Sequence, residues 1–449
     1  MSRFVRSSKF RHVFGTACKP EDTYQNLAVS KTAWDTNKVF GNNKFIAVIW
    51  EARGGGSFAV LKHGDFGKAS SSPPLVCGHK AGVLDLALSP FNDHIVASVS
   101  EDGSAKVWEI PEEGLTENLT EPAQNLIGHR RKAGTVNFNP CAENVAATSS
   151  LDYTVKVWDV TKGEAKNSIE GFTGQIQSVA WSWDGASLAV ASKDKKIRVL
   201  DPRANKVVQE FDSTPGVKGA RVLYLGSKDK LVIQGFSKTS ERLMQIVDPR
   251  NPGTPLAKKS IDTAAGMLMP FYDEDTSMLF LAGKGDGNIR YFEIVDDAPY
   301  FHYLSEYKSS TPQLGVAMLP KSTVDTAECE VVRMLKADVS SISTIHFKVP
   351  RKSDLFQPDL FPETRGHDAG STADAWFSGS NGQPATINLE AGFKPKAKSQ
   401  FQATKVEEKK EKELSAVEMK KKIKELEGRV AYLEAESAKK DIRIKELQG

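Results

Sequence analysis

The sequence predicts an all-β fold, a seven-bladed β-propeller, followed by a C-terminal extension and a short α-helical coiled coil. Three observations predict it. A unit opening on Gly78-His79 and closing on Trp108 returns in register as Gly128-His129 to Trp158, 50 residues on. Short apolar or alternating runs separated by tight polar turns continue on both sides of those units, the mark of antiparallel hairpins. Near the end, Met419, Ile423, Leu426, Val430 and Leu433 alternate spacings of four and three, the period of a coiled-coil seam.

The repeats come first because a fixed period decides the architecture. SEDGSAKVW ends at Trp108 and SSLDYTVKVWD at Asp159. Degenerate copies follow as ASKDKKIRVLD, ending at Asp201, and GKGDGNIRYFEI, ending at Ile294. In the first unit Ser98 lies four residues before Asp102 and Trp108 six after it, and Thr148, Asp152 and Trp158 repeat that spacing. With His79 and His129 these sets match the structural tetrad of WD repeats, in which a loop His is held by a turn Asp while Ser/Thr and Trp complete the hydrogen bonds. A catalytic triad would not recur once per repeat, whereas a buried polar network must be fully paired wherever it occurs. Val190 and Leu200 in the third unit, and Ala282 and Phe292 in the fourth, predict apolar packing in place of the network. Phe45–Leu61 reads as a hairpin around Gly54-Gly55-Gly56, and 221–247 and 330–349 read likewise. Units of about 40 residues over 34–349 make seven blades. A closed ring removes open sheet edges, so a closing strand is required, and Arg11–Phe14 is the candidate.

The expected layout is a propeller at 1–349, an extension packed on it at 350–395, a polar linker at 396–412 and the oligomerisation helix at 413–449. The extension carries Phe356, Phe361, Trp376 and Phe393, aromatic anchors that a free linker would not have. In the helix, Val430 falls at a and Leu433 at d, with Arg429 at g and Glu434 at e. Five residues apart on one helix, that pair cannot face each other, but across a g-to-e contact between chains it can. Arg429 to Glu434 fits the Arg-h-x-x-h-Glu pattern of parallel trimers, so a homotrimer is expected. The seam weakens where Ser437 and Lys440 fall on it.

Composition excludes several functions. The net charge is only +3, with the excess in Lys396–Gly449, where 15 Lys+Arg face 11 Asp+Glu. Nucleic-acid binding is therefore not expected. No run is long and apolar enough for a membrane span, and the N-terminus lacks the apolar stretch of a secretory signal. Cys18, Cys77, Cys141 and Cys329 are scattered, so neither a disulfide framework nor a zinc site is expected, and reduced thiols in the cytoplasm fit. The sequon Asn118-Leu119-Thr120 carries no weight in that compartment. HExxH, GxSxG and P-loop patterns are absent, and the Gly-rich stretches sit between strands with no following helix to cradle a phosphate. Asp273, Glu274 and Asp275 read as an acidic loop and Asp296-Asp297 as a solvated turn. The expectation is a non-enzymatic protein without cofactor or metal. Basic clusters at Arg3, Arg6, Lys9 and Arg11, and at Lys420, Lys421, Lys422 and Lys424, would suit an acidic partner.

Longer motifs go beyond the repeat. SKFRHVFG (Ser8–Gly15), GFSKTSER (Gly235–Arg242), PFYDEDTS (Pro270–Ser277), GKGDGNIRYFEI (Gly283–Ile294) and VPRKSDLFQPDLFP (Val349–Pro362) closely resemble the coronin family. The resemblance covers roughly residues 1–395, and the tail matches in kind. It implies filamentous actin as the principal partner, with the actin-related protein complex that nucleates branches and cofilin as further ones. It implies a cytoplasmic place on the actin cytoskeleton and cell cortex, and roles in motility and phagocytosis. Coronins often carry a filament-binding basic residue after the early Tyr. Here that segment is YQNLAVSKTAWD, with Ala28 at the matching position and Lys31 three residues on. This departure keeps a second expectation open, a WD-repeat scaffold for signalling or trafficking partners without direct actin binding.

Overall fold

The computed structural model describes residues 6–383, 385–394 and 416–448, in two units, Met1–Lys396 and Ala397–Gly449. In the first unit, blades 1 to 6 are four-stranded antiparallel sheets spanning 39–77, 83–126, 133–169, 176–212, 221–262 and 268–308. Blade 7 combines Gly315–Met318, Glu330–Ala337 and Ser341–Lys348 with the N-terminal strand Phe14–Ala17. The ring is seven-bladed, as the repeat spacing predicts.

Closure differs in detail from expectation. Phe14–Ala17, not Arg11–Phe14, pairs antiparallel with the last strand, Phe14 opposite Lys348 and Ala17 opposite Ile345. Arg11 and His12 lie in a turn in which the Val13 N–H donates to the Phe10 carbonyl at 3.3 Å. The apolar residues there act as anchors: Phe10 and Val13 are buried among strands of blades 6 and 7. An apolar run can therefore mark a pinned turn beside a strand as well as the strand.

The core lies between blades. Among the described residues, each of seven buried clusters joins two neighbouring blades around the ring, such as Phe58 of blade 1 with Trp108 of blade 2. Second strands, packed on both faces, are apolar without a break: Met278–Gly283 and Leu231–Phe236 are buried throughout. Outermost strands meet water on one side and alternate, as Lys206–Asp212 does. No blade buries its faces alone, so the ring is stable only when closed.

Beyond blade 7 the chain packs across the turns that join first to second strands. Leu360 and Phe361 are buried against blades 6 and 7. The Arg365 guanidinium donates to the carbonyls of Pro140, at 2.7 Å, and Trp183, and it lies over the Trp183 ring. Trp376, in the short helix Ala373–Phe377, is buried edge-on to Trp181 and donates to the Gly185 carbonyl at 3.1 Å. Phe356 stacks on Phe361 and takes Phe393 at its edge, so each of the four expected anchors touches another aromatic ring.

The second unit contributes one helix, Ala416–Gln448, of 33 residues. The expected linker at 396–412 lies outside the described residues, as does Arg3.

Candidate functional site

Both tetrads form. His79 sits in the loop entering blade 2, with Nδ1 3.1 Å from Asp102 and Nε2 2.7 Å from the Ser98 hydroxyl, which accepts the Trp108 indole N–H at 2.8 Å. In blade 3 the corresponding distances for His129, Asp152, Thr148 and Trp158 are 3.0, 2.8 and 2.8 Å. With Nδ1–H given to Asp, the His Nε2 accepts the hydroxyl proton and the hydroxyl oxygen takes the indole proton. Every polar atom is used. Burial opposes the charge on Asp102, but hydrogen bonds from His79, Ser104 and the Lys80 main chain hold its carboxyl far below the usual range. Asp152 is held down the same way by His129, Arg130 and Thr154. The connectivity is that of a triad, yet Ser98 and Thr148 are sealed beneath Trp side chains with no surface for a substrate. These sets bind a loop to its blade.

Other blades do not rely on apolar packing alone, which corrects the sequence reading. Val190, Leu200, Ala282 and Phe292 are buried as expected. Arginine nevertheless replaces histidine as the tie. In blade 4 the Arg198 guanidinium reaches Ser192, Asp194 and Glu210, each at 2.8 Å. Between blades 5 and 6, buried Arg242 donates to Asp262 at 2.5 Å and to Asp286, in the turn of GKGDG, at 2.7 Å. In blade 7 Glu330, fully buried, accepts from Arg333 at 2.9 and 2.6 Å and faces His346 Nδ1 at 2.7 Å. The Arg–Asp spacings carried no repeat signature. The GFSKTSER motif did contain Arg242.

The central channel is lined by first strands and encloses about 530 Å³. One end is crossed by the segment 31–37, fastened to four blades. Thr36 donates to Asp85 at 2.5 Å, Trp34 donates to the Gly134 carbonyl at 2.9 Å, and Arg221 donates to Asn37 at 2.8 Å. The Lys284 ammonium donates to the Trp34 carbonyl at 2.8 Å. The other end is covered by Thr364–Arg365 and the residues after it, over a second cavity of about 390 Å³. Asp273, Glu274 and Asp275 border that cavity at the end of the strand Leu268–Asp273 and in the turn after it, with Asp273 buried. The Lys321 ammonium stands among them, 2.6 Å from Asp273 and 3.8 Å from Asp275. Asp296 behaves as a surface group paired with Lys228 at 3.0 Å.

The N-terminal basic residues hold the chain to itself. Arg6 is ion-paired with Glu293, which also accepts from Ser8 at 2.7 Å. Lys9 donates to the Asp359 carbonyl and Arg11 to the Arg6 carbonyl. Lys31 is exposed, and its main-chain N–H donates to Glu51 at 2.8 Å. Ala28 is half-buried, with its carbonyl accepting from the Glu51 N–H at 2.7 Å. In the C-terminal helix Lys420, Lys421 and Lys422 are exposed, as are Arg429 and Glu434. Met419, Ile423, Leu426, Val430 and Leu433 are 49–56% exposed on the single helix.

Comparison with known proteins joins these features. A model described as a domain of unknown function (DUF1899) matches residues 3–68, and WD-domain G-beta repeats match 72–109 and 120–159. A further type of WD40 repeat matches 342–384. Coronin-A of Dictyostelium discoideum is 50% identical over 447 residues, covering 100% of both chains. The chain belongs to the coronin family. Human coronin-2A is 40% identical over 394 residues, 86% of this coronin and 75% of its relative. The WD40 domain of a Toxoplasma gondii coronin superposes with a TM-score of 0.80 at 32% identity, covering 84% of this coronin and 97% of that domain. Family membership makes this coronin an actin-associated WD-repeat protein.

Proposed function

We propose that this coronin is a filamentous-actin-binding adaptor, made multivalent by its C-terminal helix, that crosslinks or bundles filaments and regulates their assembly and turnover. The observation that carries the reading is the exposed seam from Met419 to Leu433, five apolar residues on one stripe of a helix. Such a stripe buries against copies of itself. Arg429 and Glu434 pair across neighbouring chains in a parallel homotrimer, adding about 0–1 kcal/mol to an association the apolar seam holds together. Each propeller grips the filament weakly, and tethering raises avidity by roughly 10²–10⁴. Lys31 and Lys420–Lys422 offer charge to the acidic filament, whereas Arg6, Lys9 and Arg11 contribute through the N-terminal arm they fasten. The actin-related nucleation complex and cofilin are the further partners, and the cytoplasmic actin cytoskeleton at the cell cortex is the setting.

Co-sedimentation with purified actin filaments at two salt concentrations tests this, with the full chain and with 413–449 deleted. The deletion should abolish crosslinking and sharply lower co-sedimentation. Equal binding and bundling by both forms would remove the avidity mechanism. Ala28 favours a second reading, a scaffold that does not touch actin. Failure of the full chain to co-sediment at either salt concentration would select it.

A further inference from the structure

A cleft of about 690 Å³ opens between blades 7 and 1, within the size range of small-molecule sites. Strand register builds its blade 7 wall. Arg333 lies opposite His346, and His346 opposite Thr16, so the three stand in one row on one face of the sheet. Glu330, fully buried, takes Arg333 Nε and Nη2 at 2.9 and 2.6 Å and faces His346 Nδ1 at 2.7 Å. Arg333 Nη1 and His346 Nε2 are turned away from that carboxylate, on side chains that line the cleft and are 25% and 27% exposed. Two ammonium groups join them. Lys348 is 37% exposed and meets Glu328 at 3.1 Å, while exposed Lys19 has no side-chain partner among the described residues. On the blade 1 wall, His63 Nε2 bonds the Asn42 carbonyl at 2.8 Å. Burial, and then the Arg333 charge across the cleft, hold His63 below the usual histidine range against that bond, so the positive charge of the blade 7 wall reaches the far side despite Glu330. Asp22 is the one acidic residue in the lining.

We propose that this cleft binds the phosphate group of a small phosphorylated molecule, held by Arg333 Nη1 and the Lys19 and Lys348 ammonium groups. Outward N–H donors on cations select an oxyanion, and hydrogen bonds of this charged kind are the strong ones. Glu330 fixes the guanidinium from behind, so little ordering is left to do when the anion arrives. With Nδ1–H given to Glu330, His346 Nε2 accepts from the P–OH of a phosphate monoanion. The exposed Phe66 ring, met by the Tyr24 ring at 5.2 Å, offers an apolar surface to the rest of the molecule.

Titration of the full-length chain with ribose 5-phosphate and AMP, against ribose and adenosine, tests the site by ligand-observed NMR and calorimetry in a phosphate-free buffer. At least one phosphorylated probe should bind saturably, and its unphosphorylated counterpart about tenfold more weakly or worse. Lys19→Glu, at an exposed position, should weaken binding about tenfold or more. So should Arg333→Lys, which keeps a cation beside Glu330 and removes the outward Nη1. Thr16→Trp, which fills the cleft and leaves every cation in place, should abolish binding. Equal affinity for a phosphorylated probe and its counterpart would overturn the proposal. So would unchanged binding in the folded variants, or no saturable binding of either phosphorylated probe. The comparison of AMP with adenosine needs no variant, so it stands even where a substitution impairs folding.

Discussion

Replacing Ser98 by Ala tests the reading of the tetrads as structure. The hydroxyl touches two groups that nothing else in blade 2 satisfies: His79 Nε2 at 2.7 Å and Trp108 Nε1 at 2.8 Å. The Ser98 and Trp108 residues and the His79 side chain are fully buried, so water cannot take its place. Two orphaned buried groups at about 1–3 kcal/mol each give a loss of about 2–6 kcal/mol, and a central value of about 4 kcal/mol. Unfolding entropy near 2.1 cal/mol/K per residue gives roughly 0.8 kcal/mol/K for the unit Met1–Lys396. Tm should therefore fall by about 5 °C in differential scanning calorimetry. Thr148→Val, which keeps the shape and removes the same bonds in blade 3, should behave alike. Exposed Ser72→Ala is the control, expected within about ±0.5 kcal/mol of the parent. Should Ser98→Ala and Thr148→Val shift Tm no more than Ser72→Ala does, the hydroxyls are not structural ties and the argument fails.

Acid should reveal Glu330. Burial opposes its charge, yet His346 and Arg333 bring its pKa from 4.5 down to about 2. Its folded pKa is depressed, so its contribution of about 3 kcal/mol is complete above pH 4.5 and is lost as pH falls toward about 2. Glu330→Gln should flatten the fall of Tm across that window, and a parallel curve would refute the assignment. A Cβ on Gly134 would lie 2.6 Å from the Trp34 ring, so Gly134→Ala should dislodge the segment crossing the channel. Added exposure of Trp34 should then red-shift fluorescence, checked against Trp34→Phe. Finally, the parent should sediment as the proposed trimer in sedimentation velocity, and Leu426→Lys with Val430→Lys should leave the chain a monomer.

Much of the propeller was legible because its causes are local. A hairpin needs alternating residues and a turn, and the tetrad needs four residues at fixed spacing, so blades 2 and 3 are written into the chain at His79 to Trp108 and His129 to Trp158. The cavity beneath the extension was not legible. Asp273, Glu274 and Asp275 read only as an acidic loop because Lys321, Thr364 and Arg365, which cover and partly neutralise them, are distant in sequence. Arg242 was missed as a tie for the same reason, since its acids lie 20 and 44 residues away, whereas Arg198 joins Asp194, four residues before it, to Glu210 on the next strand.

By itself, then, the sequence determined the number and type of the blades, the two polar tetrads and the aromatic anchors of the extension. Each depends on residues close together along the chain or on a period that can be counted. Only the tertiary structure decided that Phe14–Ala17 closes the ring, that 31–37 spans the channel, and that Arg6 is spent on Glu293. It also decided that Lys321 stands between Asp273 and Asp275, at 2.6 and 3.8 Å. Those outcomes depend on which distant groups closure of the ring brings together, and a buried charge takes its character from that company.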